Sequence, residues 1–173
     1  MNNQLLYNFL KLSLRKFSDN FNIIQKGNPC LFSLENKKYS ACISYIHDSG
    51  EGRTNDDEER VQIDRKNIDF QIARKDDGYI PCFLGFTSLG DVVTAWDPAV
   101  PLSFKGKKRM SVYTRNTLVE LAKKNNLEFF FQRSNNLGKK VRHPIFGSEL
   151  LGLYLQNIEL FHDYDEGVPE EDQ

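Results

Sequence analysis

Hydrophobic residues near the start of the chain recur at three- and four-residue spacings: Leu5, Leu6, Phe9, Leu10, Leu12 and Phe17. That spacing predicts an amphipathic helix, with Lys11, Arg15 and Lys16 on its polar side. After the Asn28-Pro29 turn the pattern becomes that of strands. Residues 30–34 and 39–46 are short runs rich in apolar, β-branched and aromatic residues, joined by a polar hairpin turn at 35–38. Strict alternation returns at Arg60-Val61-Gln62-Ile63. Residues 79–86 and 92–96 form a strand pair around Gly90, and 110–113 and 128–132 predict two further strands. Leu118, Leu121 and Ala122 mark a helix with Thr114 or Asn116 as its N-cap. Asn135 to Gly138 reads as a turn, and residues 149–158 as a closing helix that buries Leu150, Leu151, Leu153, Tyr154 and Ile158.

Two polar stretches interrupt this pattern. Residues 47–59 (HDSGEGRTNDDEE) hold nothing that can pack a core, and residues 98–109 (PAVPLSFKGKKR) run between two prolines and a basic cluster. Both are longer than a hairpin needs, and long segments without structure of their own are usually functional. Many short strands with a few short helices predict a mainly β domain, a barrel or sandwich with peripheral helices.

Composition agrees with one domain. Of 173 residues 39% are hydrophobic and 12% aromatic, which is enough apolar material to fill a core. The core is expected to span residues 39–160, preceded by a helical extension over 1–20 and followed by an acidic, disordered tail or linker over 161–173. Cys30, Cys42 and Cys82 are odd in number and widely spaced, and read as reduced core residues. The start lacks the features of a signal peptide and every hydrophobic run is broken by charge, so a cytoplasmic location is expected.

Charge changes the picture. The formal net charge is only -1, but residues 101–142 hold eleven cations against Glu120 and Glu128, a local charge of +9. The balance lies in the acidic tail and in the first polar segment. A one-sided basic distribution suits phosphate neutralisation on nucleic acid. Single-strand or RNA binding requires aromatic residues interleaved with the basic ones, and only Phe104 and Tyr113 qualify. A protein-binding module that uses the acidic tail is the other alternative.

Catalytic motifs are sparse. Glu35-Asn36-Lys37 and Asp64-Arg65-Lys66 fit the acidic-x-Lys pair of metal-dependent nucleases only formally. His47, His143 and His162 each lack a lysine two residues on, and Gly106-Lys107 lacks the rest of a phosphate loop. No catalytic centre, metal or cofactor is expected.

The stretch 43–63, with Arg53, Asn55, Asp57, Glu58, Arg60, Val61 and Gln62 in the order R-x-N-x-D-E-x-R-V-Q, resembles the first strand and loop of B3-like DNA-recognition domains. These are the effector domains of restriction endonucleases of the EcoRII, BfiI and NgoAVII kinds. Phe83-Leu84-Gly85-Phe86, Val92 to Pro98, Ser111-Val112-Tyr113 and residues 146–160 resemble later landmarks of that family. The resemblance covers roughly residues 39–160. It implies a seven-stranded pseudo-barrel, here preceded by an N-terminal helix, whose two loops grip the DNA major groove. It implies double-stranded DNA as partner, through His47, Ser49, Arg53, Thr54, Asn55, Arg60 and Gln62 on one side. On the other side stand Ser103, Lys105, Lys107, Lys108, Arg109, Ser111, Tyr113 and Arg115. Arginines suit guanine, Asn and Gln suit adenine, and lysines and hydroxyls suit phosphate. A recognition domain of this kind works beside a nuclease or nucleotide-driven motor domain or subunit, as in LlaJI/McrBC-like restriction systems.

Overall fold

In the computed structural model, which describes residues 3–46, 57–104, 108–136 and 138–162, the expected first helix forms as α1 (Asn3–Phe17). It buries Leu6, Tyr7, Leu10 and Leu14. Leu12 is 59% exposed, since it sits two residues from both Leu10 and Leu14 and so points away from their side of the helix. The chain continues through β1 (Phe21–Gln25), β2 (Cys30–Leu34), β3 (Lys37–Tyr45), β4 (Glu58–Asp64), α2 (Arg65–Asp76), β5 (Ile80–Phe86) and β6 (Val92–Trp96). It then forms α3 (Ala99–Leu102), β7 (Arg109–Arg115), α4 (Asn116–Lys124), β8 (Phe129–Asn136) and β9 (Lys139–Gly147). A 3-10 turn at Ser148–Leu150 leads into α5 (Leu151–Gln156) and α6 (Ile158–His162).

Seven strands make one sheet in the order β1-β2-β3-β5-β6-β9-β8, and β4 pairs with β7 in a separate two-stranded ribbon. All neighbours are antiparallel except β3 and β5. The fold is mainly β with peripheral helices, as expected. The sheet does not close on itself: β1 and β8 are its edges, and the ribbon lies outside it.

Residues that alternate along the central strands go to opposite layers. Ala41, Ile43, Cys82, Leu84, Phe86, Val93, Ala95 and Phe146 join Leu6, Leu10, Leu14, Leu151 and Tyr154 in the largest core cluster, beneath α1 and α5. Cys42, Phe83 and Trp96 instead join Val61, Ile63 and Val112 of the ribbon and Ile68 of α2. Val92 and Ile145 meet Leu118, Val119 and Ala122 of α4. A sheet covered on both faces needs apolar residues at successive positions, which is why β5 and β6 read as continuous hydrophobic runs. The three cysteines are buried and unpaired, and burial pushes their thiols upward, Cys30 to about 11 and Cys42 to about 12.

Several expectations are corrected. The strand β1, the strand β9 and the helix α2 carry no strong apolar period. In α2 the fully buried positions are Ile68 and Gln71. The Gln71 amide donates to Ser40 O (2.9 Å) and Cys82 O (3.0 Å), and its oxygen accepts from Ser40 Oγ. A buried amide therefore anchors this helix where a leucine would be sought. In the closing helices Leu153 is 44% exposed, and His162 is buried at the end of α6. Neither Thr114 nor Asn116 caps α4: Thr114 is a buried residue of β7 and Asn116 is the first helical residue. The cap comes from Asp57, whose Oδ1 accepts from Thr117 N (2.7 Å) and from the Thr117 hydroxyl, while its carbonyl accepts from Asn116 N (2.7 Å). Among the described residues no helix is long and apolar enough to cross a membrane.

Gly85 leaves the space in which the Trp96 indole lies against the sheet: a Cβ there would meet its Cη2 at 2.5 Å. Gly85→Ala is expected to lower unfolding free energy by about 1–3 kcal/mol, the usual cost of overpacking, measured as a shift in urea midpoint.

Candidate nucleic-acid interface

The two sequence-predicted segments meet in the ribbon. Its register pairs Glu58 with Arg115, Arg60 with Tyr113, Gln62 with Ser111 and Asp64 with Arg109. Cross-strand partners share a face, and these eight residues line the outer one, whereas Val61, Ile63 and Val112 face inward and are buried. Arg60, Gln62, Arg109, Tyr113 and Arg115 are exposed, Tyr113 by 47%, and Ser111 is half-buried. Six sequence-predicted site residues thus stand on one strip. Its charges are mixed: Arg60, Arg109 and Arg115 against Glu58 and Asp64, each acid facing an arginine across the ribbon. Arg109 Nε lies 3.4 Å from Asp64 Oδ1, and its Nη1 donates to Gln62 Oε1 over 3.4 Å.

The ribbon is fixed to the sheet by polar side chains. The Gln132 amide donates to Tyr113 O (2.6 Å) and its oxygen accepts from Arg115 N (2.9 Å), so it pairs with the free edge of β7 as a strand would. Trp96 Nε1 also donates to Tyr113 O (2.8 Å), and the Thr94 and Thr114 hydroxyls bond at 2.6 Å. Trp96 is therefore an anchor of the ribbon. Between the β7 edge and β8 lies a small cavity of about 150 Å³, which Ser134 and His143 also line.

Arg65, which sequence reasoning singled out only as part of a formal nuclease tripeptide, holds the second polar segment from both sides. Its backbone N–H donates to Lys108 O (2.8 Å) and its Nη1 to Phe104 O (2.8 Å), with Nε on Asp69 Oδ1 (2.9 Å). Lys108 is exposed. Ser103 is exposed but its hydroxyl donates to Val100 O (2.8 Å) at the end of α3. His47, Ser49, Arg53, Thr54, Asn55, Lys105 and Lys107 lie outside the described residues. The segments that hold them adjoin opposite ends of the ribbon, one before Asp57 and Glu58, the other before Lys108 and Arg109.

Two cations of the basic stretch 101–142 are engaged within the fold. Arg142 donates to Phe161 O (2.9 Å) and Leu160 O (2.7 Å) and lies over the Phe131 ring, so it holds α6 against the sheet. Lys123 pairs with Glu120 on α4. The tripeptide acids are likewise engaged: Glu35 accepts from Ser18 and Asn20, and Asp64 faces Arg109. Among the described residues no group of three or more His, Cys, Asp or Glu is placed to hold a metal ion.

Gln132→Leu removes the substitute strand edge and leaves Tyr113 O short of one donor. Hydrogen exchange at the Arg115 amide is expected to quicken by at least about 5-fold, roughly the loss of one net hydrogen bond, while exchange in β5 stays unchanged. His143 offers a second check. Asp97 N–H donates to its Nδ1 (2.8 Å), so its proton sits on Nε2, beside Ser134 Oγ. Burial, and to a lesser degree His162, push it down to about 3. The unfolded chain takes up a second ring proton near pH 6.5, and the folded one, whose Nδ1 accepts from Asp97 N–H, only near pH 3. The contribution of neutral His143 is full above pH 6.5 and declines as pH falls toward 3. Urea midpoints measured from pH 4 to 8 should show that decline, and His143→Gln should flatten it.

A family model described as methylase-associated X1 (MTaX1) matches residues 37–155. The match takes in both strands of the ribbon, Gln132, Trp96 and α4, and supports an association with restriction–modification. It leaves out α1, β1 and β2, which complete the core on one side. No curated protein and no solved structure matches the chain. With more than half of its length covered by that model, the chain belongs to the methylase-associated X1 family.

Proposed function

We propose that this chain is a sequence-specific double-stranded DNA-binding module that serves as the target-recognition part of a restriction–modification system. The observation that carries the reading is the outer face of the ribbon. Arg60, Gln62, Arg109, Ser111, Tyr113 and Arg115 stand there together on two strands whose other face is buried and bonded to the sheet. A B-DNA major groove admits a two-stranded β-ribbon, and these side chains match its acceptors. Guanidinium groups fork onto guanine, the Gln62 amide suits adenine, and hydroxyls suit phosphate oxygens. Membership of a methylase-associated family supports the same setting.

In this reading the two flanking segments extend the contact beyond the ribbon. Arg53, Asn55, Thr54, His47 and Ser49 reach the duplex from one end, and Lys105, Lys107 and Lys108 from the other. Ser103 is dropped, because its hydroxyl serves the end of α3. The likeness to B3-like recognition domains is kept, with an open sheet carrying a ribbon in place of a closed barrel. Cleavage, or a nucleotide-driven motor, belongs to another domain or subunit, and binding needs no cofactor.

The test is selection of bound duplexes from a randomised pool at two salt concentrations. An enriched short motif is expected. Arg60→Ala or Gln62→Ala should relax the motif at one position, with discrimination falling about 5- to 100-fold. Replacing Lys105, Lys107 and Lys108 together by alanine should weaken all duplexes alike and flatten the salt dependence by about 0.9 log unit per lost phosphate contact. If no duplex binds even at low salt, the reading fails.

A further inference from the structure

Arg109 is braced in a way that a general phosphate contact does not require. Asp64 and Gln62 lie within 3.4 Å of its Nε and Nη1, both on the strand across from it. The Gln62 contact takes one of the five N–H protons of the side chain, and Asp64 faces Nε as an ion partner. One proton on Nη1 and both on Nη2 remain, and the Nη1/Nη2 end is the fork that fits O6 and N7 of guanine. A braced guanidinium also loses less rotamer freedom on reading a base than a loose one does.

The register adds a distance. Arg109 stands level with Asp64, and Tyr113 level with Arg60, so the two arginines lie four residue levels apart along the ribbon. Strands rise about 3.4 Å per residue, and base pairs rise about 3.4 Å along the DNA helix axis. A ribbon aligned with that axis therefore advances by about two base pairs from one same-face residue to the next. We infer that Arg109, positioned by Asp64 and Gln62, specifies a guanine near one end of the target, and that Arg60 specifies a second base about four base pairs away. This inference rests on the DNA-binding reading above.

The experiment replaces each guanine of the selected duplex, one at a time, by 7-deazaguanine, which still pairs with cytosine but has no N7 acceptor. Affinity of the full chain is measured by anisotropy. At one guanine the wild-type protein should lose about 5- to 20-fold, within the range for a bidentate contact. Arg109→Ala should bind the normal and the 7-deaza duplex equally at that base, and Arg109→Lys should not restore the difference. Asp64→Asn should shrink the difference while thermal unfolding stays unchanged, a result that a merely structural role would not give. Arg60→Ala should change discrimination only about four base pairs away. If Arg109→Ala keeps the full 7-deaza penalty at every guanine, or if the selected motif contains no guanine, the inference is overturned while DNA binding stands. If the wild-type chain binds no duplex, both fall.

Discussion

The carboxamide of Gln132 bonds Tyr113 O and Arg115 N–H together, taking the place of a strand beside β7, and the presentation of the ribbon depends on it. A two-stranded ribbon alone is marginal in water. Here its inner face adds Val61, Ile63 and Val112 to the cluster around Phe83 and Trp96, but apolar contacts are tolerant of sliding. The directional bonds from Gln132, Trp96 and the Thr94–Thr114 hydroxyl pair set where along the sheet the ribbon stops. They thereby fix the level of each outer residue relative to the rest of the molecule.

Side-chain amides bond strand backbone at two other places among the described residues. Beyond Ala41, β3 has no further pairing with β2, and the Asn28 side chain bonds both Ile43 N (2.8 Å) and Ile43 O (2.5 Å) there. Gln71 does similar service between β3 and β5, bonding Ser40 O and Cys82 O as α2 crosses them. Buried backbone groups have to be paired, and a side-chain amide supplies donor and acceptor at nearly peptide spacing. Three amides thus pair backbone groups where an open sheet carries a helix and a ribbon.

Those amides also explain what the sequence did and did not disclose. Strands with strong alternation, such as 60–63, or with continuous apolar runs, such as 80–86, were legible because their burial is apolar. The helix α2 was not, since its central buried contact is Gln71 and its other residues are mostly charged. Nor could β9 be read, where Arg142, His143 and Pro144 precede Ile145 and Phe146. At the interface, residue types and the alternation of Arg60 and Gln62 with Val61 and Ile63 pointed to a solvent-facing strand. That β4 pairs with β7 is a contact between residues about fifty positions apart, which no local pattern encodes. Asp57 as the cap of α4 was hidden for the same reason. Arg142 counts toward the basic stretch in the sequence, but its partners, the carbonyls of Leu160 and Phe161, come from the far end of the chain.

Arg65 ties two separate elements to the start of α2. By bonding Phe104 O and Lys108 O from one residue, it anchors the chain on both sides of positions 105–107. The ends of that segment are set by a residue outside it. The two anchors differ in kind: the bond to Lys108 O comes from the backbone and the bond to Phe104 O from the guanidinium. Loss of the Arg65 side chain would therefore keep the tie to the start of β7 and give up the tie to the end of α3, so the two elements depend unequally on the identity of one residue.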